Sequence, residues 1–371
     1  MKLFQLKTQV CRFNTCKEFV EYFNIDENDF ILTSESTYNS FLKSLKLKAV
    51  IMFKGKYGQG EPSDEMINLI IRDMKGKKYK RIFAIGGGTI IDIAKLLVIK
   101  DAKNTLDLFE KTIPFVKDKE LIAVPTTCGA GSEVSNISIA ELKEKNTKMG
   151  LATDELFPDY AVLIPDLVKR LPYEFFITSS VDAMIHAIES FVSPKSNSYT
   201  ELFSVGAIEL ILNGYMQILE RGEDFRNEII EDFLKASNYA GIAFSNTGTG
   251  AVHALSYPLG GTYHVTHGEA NYQMFVEIFK TYNKKDPDGK IKDINCILCN
   301  ILKCKSTEVY EALTVVLDKL LIRKPLREYG MKKEEIETFT DSVIAGQQRL
   351  LVNSYAPLTR EDIINIYSNL Y

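Results

Sequence analysis

Short apolar runs separated by longer mixed segments characterise the first half of the chain. The runs "DFILTS", "KAVIMF", "KRIFAIG" and "ELIAVPTT" are rich in β-branched and aromatic residues, and polar or glycine-containing sequence follows each of them. Ser63, in the turn "GQGEPSD", is placed to cap a helix formed by "DEMINLIIRDMKG". Strands that alternate with helices of about 10 to 15 residues predict a doubly wound parallel sheet with helices on both faces.

The pattern changes near residue 175. From "PYEFFITSSVDAMIHAIESFV" onward, apolar residues recur at every third and fourth position, as in "SVGAIELILNGYMQILERG" and "STEVYEALTVVLDKLLI". This spacing is typical of amphipathic helices, and little β-type alternation accompanies it. We therefore predict two domains, an α/β domain over residues 1–175 and an all-α domain over residues 176–371.

Composition and charge restrict the possible partners. Apolar residues make up 45% of the chain and charged residues 25%, which is typical of a soluble globular protein. The net charge is −4 and lysines and arginines form no basic tract, so we expect neither nucleic acid nor an acidic membrane as a partner. No signal-peptide core opens the chain and no apolar run approaches the roughly 18 residues of a membrane span, so we expect a cytoplasmic protein.

The six cysteines predict reduced thiols rather than a disulfide framework. Cys296 and Cys299 form a CxxC pair with Cys304 nearby, which raises the alternative of a zinc or redox site. No second CxxC and no histidine pair follows at zinc-finger spacing. We interpret these cysteines as small apolar residues on a helix.

A glycine-rich turn follows one of the predicted strands. Gly86, Gly87 and Gly88 lie between "RIFAI" and a helix that begins near Thr89. Glycines allow close approach of the backbone to a ligand, and the start of a helix offers unpaired N–H groups to an anion such as a pyrophosphate. A tight, packed strand–helix turn is the alternative. "PTTCGAGSEVS" forms a second loop of this kind at another strand end, where ligands of open α/β sheets bind.

Nearly all the imidazole of the chain lies in one short stretch. Of the four histidines, three fall in "HALSYPLGGTYHVTHGEANY", while His186 follows Asp182 by four residues in a helical segment. That spacing places both side chains on one helix face. A solvent-exposed pair on the helix surface has the same spacing and is the alternative. With His253 and His267, whose neighbouring glycine suggests a chain turn, they supply one carboxylate and three neutral imidazoles. Such a set suits a divalent transition metal with an open coordination position.

Four stretches in combination resemble the signature segments of the iron-containing alcohol dehydrogenases: "GGGTIIDIAK", "PTTCGAGSEVS", "SSVDAMIHAIESFVS" and "HALSYPLGGTYHVTHGEAN". The resemblance covers essentially the whole chain. It implies an N-terminal NAD-binding α/β domain, a C-terminal helical metal-binding domain and an active site in the cleft between them. The implied metal ligands are Asp182, His186, His253 and His267, which would bind iron or alternatively zinc. The implied cofactor contacts are Gly87, Gly88, Thr89, Asp92, Thr126, Thr127, Ser135 and Lys148.

Further stretches narrow the resemblance within the family. "GEPSDEMI", "SNYAGIAF", "KPLREYGM" and "GQQRLLVN" are similar to a member that uses NAD(H) to interconvert 4-hydroxybutyrate and succinate semialdehyde. We expect that reaction, in a homodimer or larger homo-oligomer. Arg349 in "GQQRLLVN" is a candidate partner for the substrate carboxylate, because an unpaired buried carboxylate would be costly. A solvated helix arginine is the alternative for Arg349.

The sequence departs from the family pattern at two places. Tyr257 stands where many members have a histidine associated with the proton path, and tyrosine, with an ordinary pKa near 10, exchanges protons poorly near neutrality. His264 could take part of that role or be a surface loop residue. In "ILTSE", Ser34 stands where NAD-preferring members often have an aspartate, and Glu35 follows it. Without that aspartate, the sequence gives less support to a preference for NAD over NADP.

Three alternatives to this function remain open. The first is an enzyme of the same family that acts on another small primary alcohol or diol. The second is a lyase similar to dehydroquinate synthase, which would need a basic phosphate pocket and usually a glutamate ligand, and Asp182 argues against it. The third is a metal-binding or assembly protein without catalysis, which would not need the glycine loops and a full ligand set together.

Overall fold

Two compact units make up the chain in the computed structural model, which describes residues 2–145 and 147–371. One unit spans Leu6–Leu171, and the other combines the residues up to Gln5 with Pro172–Tyr371. In the described residues, the first unit contains all the strands and the second consists of helices and their connections. The α/β and all-α fold classes predicted for the two halves are confirmed.

Among its described residues, the first unit contains eight strands and six α-helices. Its strands are β1 (Gln9–Arg12), β2 (Asp29–Thr33), β3 (Val50–Phe53), β4 (Arg81–Gly86), β5 (Glu120–Pro125), β6 (Ile137–Leu142), β7 (Thr147–Ala152) and β8 (Tyr160–Leu163). Its helices are α1 (Cys16–Phe23), α2 (Glu35–Thr37), α3 (Asp64–Met74), α4 (Gly88–Leu97), α5 (Thr105–Phe109) and α6 (Pro165–Lys169). Six strands form a parallel sheet in the order β1-β8-β5-β4-β2-β3, while β6 and β7 form a separate antiparallel pair.

Both faces of the sheet are covered, as expected for a doubly wound fold. Along β4, Ile82 and Ala84 pack into one hydrophobic cluster, whereas Phe83 and Ile85 pack into the other. Successive side chains of a strand point to opposite faces, so both faces of β4 are apolar and buried. The strands β1, β6 and β7 lack a long apolar run, which is why the hydrophobic pattern did not single them out, whereas β8 was missed although it lies in the apolar run "YAVLI".

The carboxyl ends of the central strands lie side by side. Thr33 of β2 is in register with Ile85 of β4, and Gly86 of β4 is in register with Pro125 of β5. The segments that follow these strands therefore begin at one edge of the sheet. As predicted, Ser63 caps α3, since its hydroxyl accepts a hydrogen bond from the Met66 amide over 3.3 Å.

The second unit is built from ten α-helices. They are α7 (Tyr173–Val192), α8 (Ser198–Arg221), α9 (Ile230–Thr247), α10 (Ala251–Tyr263), α11 (His267–Lys285), α12 (Lys290–Leu302), α13 (Val309–Leu320), α14 (Glu335–Gly346), α15 (Gln348–Leu351) and α16 (Arg360–Leu370). Helices α7, α8 and α9 pack against one another, and α11 packs against both α7 and α10.

Two helices are long and apolar enough to cross a membrane, which the sequence analysis did not anticipate. The most apolar windows of α7 and α8 have mean hydropathies of 1.2 and 1.4. Within the protein, 89% of the α7 window and 44% of the α8 window are buried. Because a core helix of a soluble protein has the same composition, these helices are weak evidence for a membrane.

The cysteine pair is located on a helix, as predicted. Cys296 and Cys299 lie on α12, where Cys296 is exposed and Cys299 is half-buried, and Cys304 follows the end of that helix. The prediction that these cysteines lie on a helix is therefore confirmed for Cys296 and Cys299 and wrong for Cys304. All six cysteines are free thiols.

Candidate metal centre

Helix α7 places a carboxylate and an imidazole inside the second unit. Asp182 and His186 are only 4% and 5% exposed, so the alternative of an exposed surface pair is wrong. The helix is buried over most of its circumference, and polar side chains within it need partners, because burying a carboxylate without them is costly.

Helices α10 and α11 supply the other two candidate ligands. His253 lies in the first turn of α10 and His267 is the first residue of α11. The prediction that the glycine after His267 makes the chain turn is wrong: Gly268 lies within α11, and the turn contains His264, which has a left-handed φ of 56°. A Cβ on Gly268 would lie 2.6 Å from the carbonyl oxygen of Thr178 on α7. This glycine therefore allows the start of α11 to approach α7 closely.

The four candidate ligands converge on one point. The ligand atoms of Asp182, His186, His253 and His267 all lie within 4.8 Å of one another. Oδ1 of Asp182 is 3.8 Å from Nε2 of His253 and 4.0 Å from Nε2 of His267. The ring of His186 stacks on that of His253 with centroids 4.7 Å apart.

The cluster fits a divalent metal ion on chemical and geometric grounds. Within the described residues, Nε2 of His253 is buried without a hydrogen-bond partner, which is unusual for a polar atom in a protein core. The four ligand atoms, all within 4.8 Å of one another, are near enough to share one ion, because tetrahedral ligand atoms about 2.1 Å from an ion lie about 3.4 Å apart. Three imidazole nitrogens and one carboxylate oxygen suit iron or zinc.

Glu189 holds His253 in place, and the sequence analysis did not identify it. One carboxylate oxygen accepts hydrogen bonds from Nδ1 of His253 over 2.7 Å and from the Gly250 amide over 2.9 Å. The other accepts from the Val252 amide over 2.7 Å. With a proton on Nδ1, the lone pair of His253 is on Nε2, the atom that points to the cluster. Glu189 follows Asp182 by seven residues, so the helical spacing on α7 could have revealed it.

Asn271 is a second polar residue beside the cluster. It follows His267 by one turn of α11, and its Nδ2 donates to Oδ1 of Asp182 over 2.7 Å. Burial opposes ionisation of Asp182, but the three neighbouring histidines and the Asn271 bond outweigh it, so the pKa of this carboxyl is lowered. The structure therefore favours the anionic form of Asp182 that a metal requires.

The two candidate proton-path residues occupy different surroundings. Tyr257 follows His253 by one turn of α10, and its ring centroid lies 6.3 Å from that of His267. Nη2 of Arg349 donates a hydrogen bond to the Tyr257 hydroxyl over 3.2 Å. His264 is exposed at the carboxyl end of α10.

The predicted glycine turn brings together several of the candidate cofactor residues in the first unit. Gly87 caps α4, and a Cβ on it would lie 3.4 Å from the methyl group of Thr127. A Cβ on Gly88 would lie 3.0 Å from Cβ of Ala130, and the Thr126 amide donates to the carbonyl of Gly86 over 3.1 Å. The first and second glycine-rich loops are thus packed closely on each other, with Thr89 in the first turn of α4.

A buried lysine connects two further candidates. Lys95 on α4 is fully buried, and its Nζ donates to Ser135 Oγ over 3.0 Å and to Asp92 Oδ1 over 3.4 Å. The Ile139 amide donates to the other oxygen of Asp92 over 3.0 Å. Asp92 and Ser135 thus help to hold the second loop and β6 on α4. Lys148, on β7, pairs instead with Glu61.

Sequence comparisons match both halves of the chain to one family. The model described as "Iron-containing alcohol dehydrogenase" matches residues 10–165, and the model described as "Fe-containing alcohol dehydrogenase family, C-terminal" matches residues 176–371. The 4-hydroxybutyrate dehydrogenase of Clostridium kluyveri is 63% identical over 371 residues, which is 100% of each chain.

Solved structures agree on the fold. A 1,3-propanediol oxidoreductase superposes with a TM-score of 0.86 at 20% identity, over 100% of both chains. Sulfoacetaldehyde reductase from Bifidobacterium kashiwanohense, in complex with NAD+, superposes with a TM-score of 0.85 at 20% identity, over 99% of this chain and 98% of that one. At this level of identity the similarity concerns the fold.

Proposed function

The chain belongs to the iron-containing alcohol dehydrogenase family, and we propose that it is the NAD-dependent oxidoreductase that interconverts 4-hydroxybutyrate and succinate semialdehyde. In the oxidative direction 4-hydroxybutyrate and NAD+ give succinate semialdehyde, NADH and a proton. The observation that supports this substrate is the 63% identity over the full length to the Clostridium kluyveri enzyme. Membership of a dehydrogenase family argues against the lyase and the non-catalytic alternatives.

The cluster of Asp182, His186, His253 and His267 is our candidate site for one divalent metal, which we propose is iron. When bound, the metal would supply Lewis-acid chemistry to the substrate oxygen, which favours the alkoxide in oxidation and polarises the aldehyde in reduction. The protein contributes the orientation of the ligands. Glu189 fixes the tautomer of His253, and Asn271 hydrogen-bonds Asp182.

The first unit supplies the candidate cofactor site, and we propose residues 1–175 as the NAD-binding domain and 176–371 as the metal-binding domain. The amides at the start of α4 would bind the pyrophosphate, because a helix N-terminus attracts anions. We propose that Gly87, Gly88, Thr89 and Thr127 contact it directly. The remaining proposed contacts are Asp92, Thr126, Ser135 and Lys148. Lys95 holds Asp92 and Ser135 in position through hydrogen bonds.

We propose NAD rather than NADP as the cofactor. Ser34, directly after β2, caps α2 by accepting a hydrogen bond from the Thr37 amide over 3.0 Å. The carboxylate nearest to this place in the sequence is Glu35, the first residue of α2. A carboxylate close to the ribose would hydrogen-bond it in NAD and repel the 2′-phosphate of NADP.

Tyr257 and His264 are the proposed proton-path residues. The ring of Tyr257 lies near that of His267, and His264 is exposed to solvent at the end of the same helix. Exposure gives the imidazole of His264 direct access to bulk water. We further propose that the enzyme acts in the cytoplasm as a homodimer or larger homo-oligomer.

A substrate panel with iron-loaded enzyme and NADH tests the proposed function. We expect the highest kcat/KM with succinate semialdehyde, and 4-hydroxybutyrate as the product identified by mass spectrometry. Butyraldehyde, propionaldehyde and 3-hydroxypropionaldehyde represent uncharged substrates. A higher kcat/KM with any of these would replace the proposed substrate by a small primary alcohol or diol and leave the family assignment intact.

A further inference from the structure

A short segment after α14 is fixed firmly on the start of α10, the helix that contains His253. Nδ2 of Asn353 donates to the carbonyl of Thr249 over 3.2 Å. Gly248 has a φ of 78°, and a Cβ there would lie only 2.4 Å from Nδ2 of Asn353. This close packing fixes the position of α15, whose second residue is Arg349.

The side chain of Arg349 contacts Tyr257 on α10. Its Nη2 donates to the hydroxyl of Tyr257 over 3.2 Å, and its guanidinium carbon lies 5.9 Å from the centroid of that ring. Tyr257 follows His253 by four residues, so the two side chains share one face of α10. The guanidinium therefore contacts the side chain one turn of α10 beyond the candidate ligand His253.

Arg349 also differs from several other arginines in its charge environment. In the part of the chain that the structure describes, it forms no ion pair with a carboxylate. By contrast, Arg81 pairs with Asp29, Arg323 with Asp318 and Arg360 with Asp341. Arg349 is exposed, so water satisfies its remaining N–H groups until an anion replaces that water.

The dimensions match those of a four-carbon hydroxy acid. Three methylene groups separate the carbinol oxygen of 4-hydroxybutyrate from its carboxyl carbon, which places the two about 5 Å apart in an extended chain with bonds near 1.5 Å. One turn of an α-helix rises by about 5.4 Å. A substrate whose oxygen is at the level of His253 would thus have its carboxylate at the level of Tyr257.

We propose that Arg349 binds the substrate carboxylate and sets the preference of the enzyme for an ω-hydroxy acid over an uncharged alcohol. This inference rests on the proposed function. The planar guanidinium offers two parallel N–H groups to the two oxygens of a carboxylate. Tyr257 accepts one N–H of the guanidinium, whose carbon lies 5.9 Å from the centroid of its ring, so it orients the fork.

The test is the ratio of kcat/KM for succinate semialdehyde to kcat/KM for butyraldehyde, measured with NADH and iron-loaded enzyme. The loss of a charge-assisted hydrogen bond should lower this ratio roughly ten- to a hundred-fold in Arg349→Leu. Arg349→Lys, which keeps the charge and loses the fork, should give an intermediate ratio. If the leucine variant does not fold, the lysine variant carries the test, since its ratio should still fall below that of the wild type.

Arg360→Leu is the matched control, because Arg360 forms its ion pairs with Asp341 and Glu337 on the surface. Its ratio should equal that of the wild type. A wild-type ratio retained in Arg349→Leu would overturn the role of Arg349, and so would a defect confined to the KM for NADH, which would indicate a cofactor phosphate as the bound anion. A wild-type enzyme with no preference for the charged aldehyde would overturn the proposed substrate itself, and the role of Arg349 with it.

Discussion

Replacement of Glu189 should weaken metal binding without any change to a candidate ligand. Glu189 is 3% exposed and accepts three hydrogen bonds, from Nδ1 of His253 and from the amides of Gly250 and Val252. In Glu189→Ala all three donors lose their acceptor inside the protein. In Glu189→Gln the amide oxygen can keep one or two donors, while the new NH2 group faces another donor.

The hydrogen bonds set the expected magnitude. A buried donor without a partner costs about 1–3 kcal/mol, and Glu189→Ala leaves three donors without their acceptor. We expect the free energy of unfolding to fall by about 3–5 kcal/mol in Glu189→Ala and by about 1–3 kcal/mol in Glu189→Gln. Since a domain is typically stable by about 5–15 kcal/mol, the glutamine variant should remain folded.

The metal affinity should fall further than stability alone explains. The loss of a residue that orients a metal-binding histidine typically costs about 10- to 100-fold in affinity. We would measure the dissociation constant for ferrous iron anaerobically and for zinc by competition with a chromogenic chelator. Urea unfolding of the metal-free proteins gives the stability separately.

Glu174→Gln is the control on the same helix, because Glu174 is exposed in the first turn of α7. It should bind metal as the wild type does. If Glu189→Gln binds both metals with wild-type affinity, the orientation of His253 by this carboxylate is irrelevant to the site and our account of it is refuted.

Three further predictions concern the two candidate sites. Asp182→Ala and His267→Ala should lose bound metal, measured by elemental mass spectrometry, together with activity while circular dichroism shows a folded protein; full turnover by a metal-free variant would exclude these ligands. The kcat/KM with NADH should exceed that with NADPH, and the opposite order would show that the surroundings of Ser34 accept a 2′-phosphate. Gly268→Ala should lower the free energy of unfolding by about 1–3 kcal/mol and weaken metal binding, because its Cβ would lie 2.6 Å from the Thr178 carbonyl; unchanged thermal unfolding and metal affinity would contradict the close approach of α11 to α7.

Local patterns predicted the parts of the fold that depend on local sequence. The strands β2, β3, β4 and β5 are continuous apolar runs because both sheet faces are covered, and Gly87 and Gly88 mark the start of α4. The strand β1 and the β6–β7 pair escaped prediction, because they are short or only partly buried. Their pairing partners lie far away in the sequence or within a separate hairpin.

In the candidate metal centre, too, local sequence predicted some residues, and others depend on contacts between helices. Asp182 and His186 were identified by their helical spacing, whereas the roles of Glu189, Asn271 and Gly268 depend on how three helices pack. The helical spacing places Glu189 on the same face of α7 as Asp182, but its role follows only from its hydrogen bonds to the start of α10. The role of Lys95 was missed for a similar reason, since its partners Ser132 and Ser135 lie on a distant loop.

The most direct test of the central claim is the reduction of succinate semialdehyde by the iron-loaded enzyme, followed by NADH oxidation and by mass spectrometry of the product. We predict that 4-hydroxybutyrate forms in equal amount to the NADH consumed. The rate should vanish when the metal is removed with a chelator and return when ferrous iron is added. We also predict a kcat/KM at least about ten-fold above that for butyraldehyde, the value expected from one charge-assisted hydrogen bond. Turnover that is independent of metal, or equal for the two aldehydes, would contradict the claim.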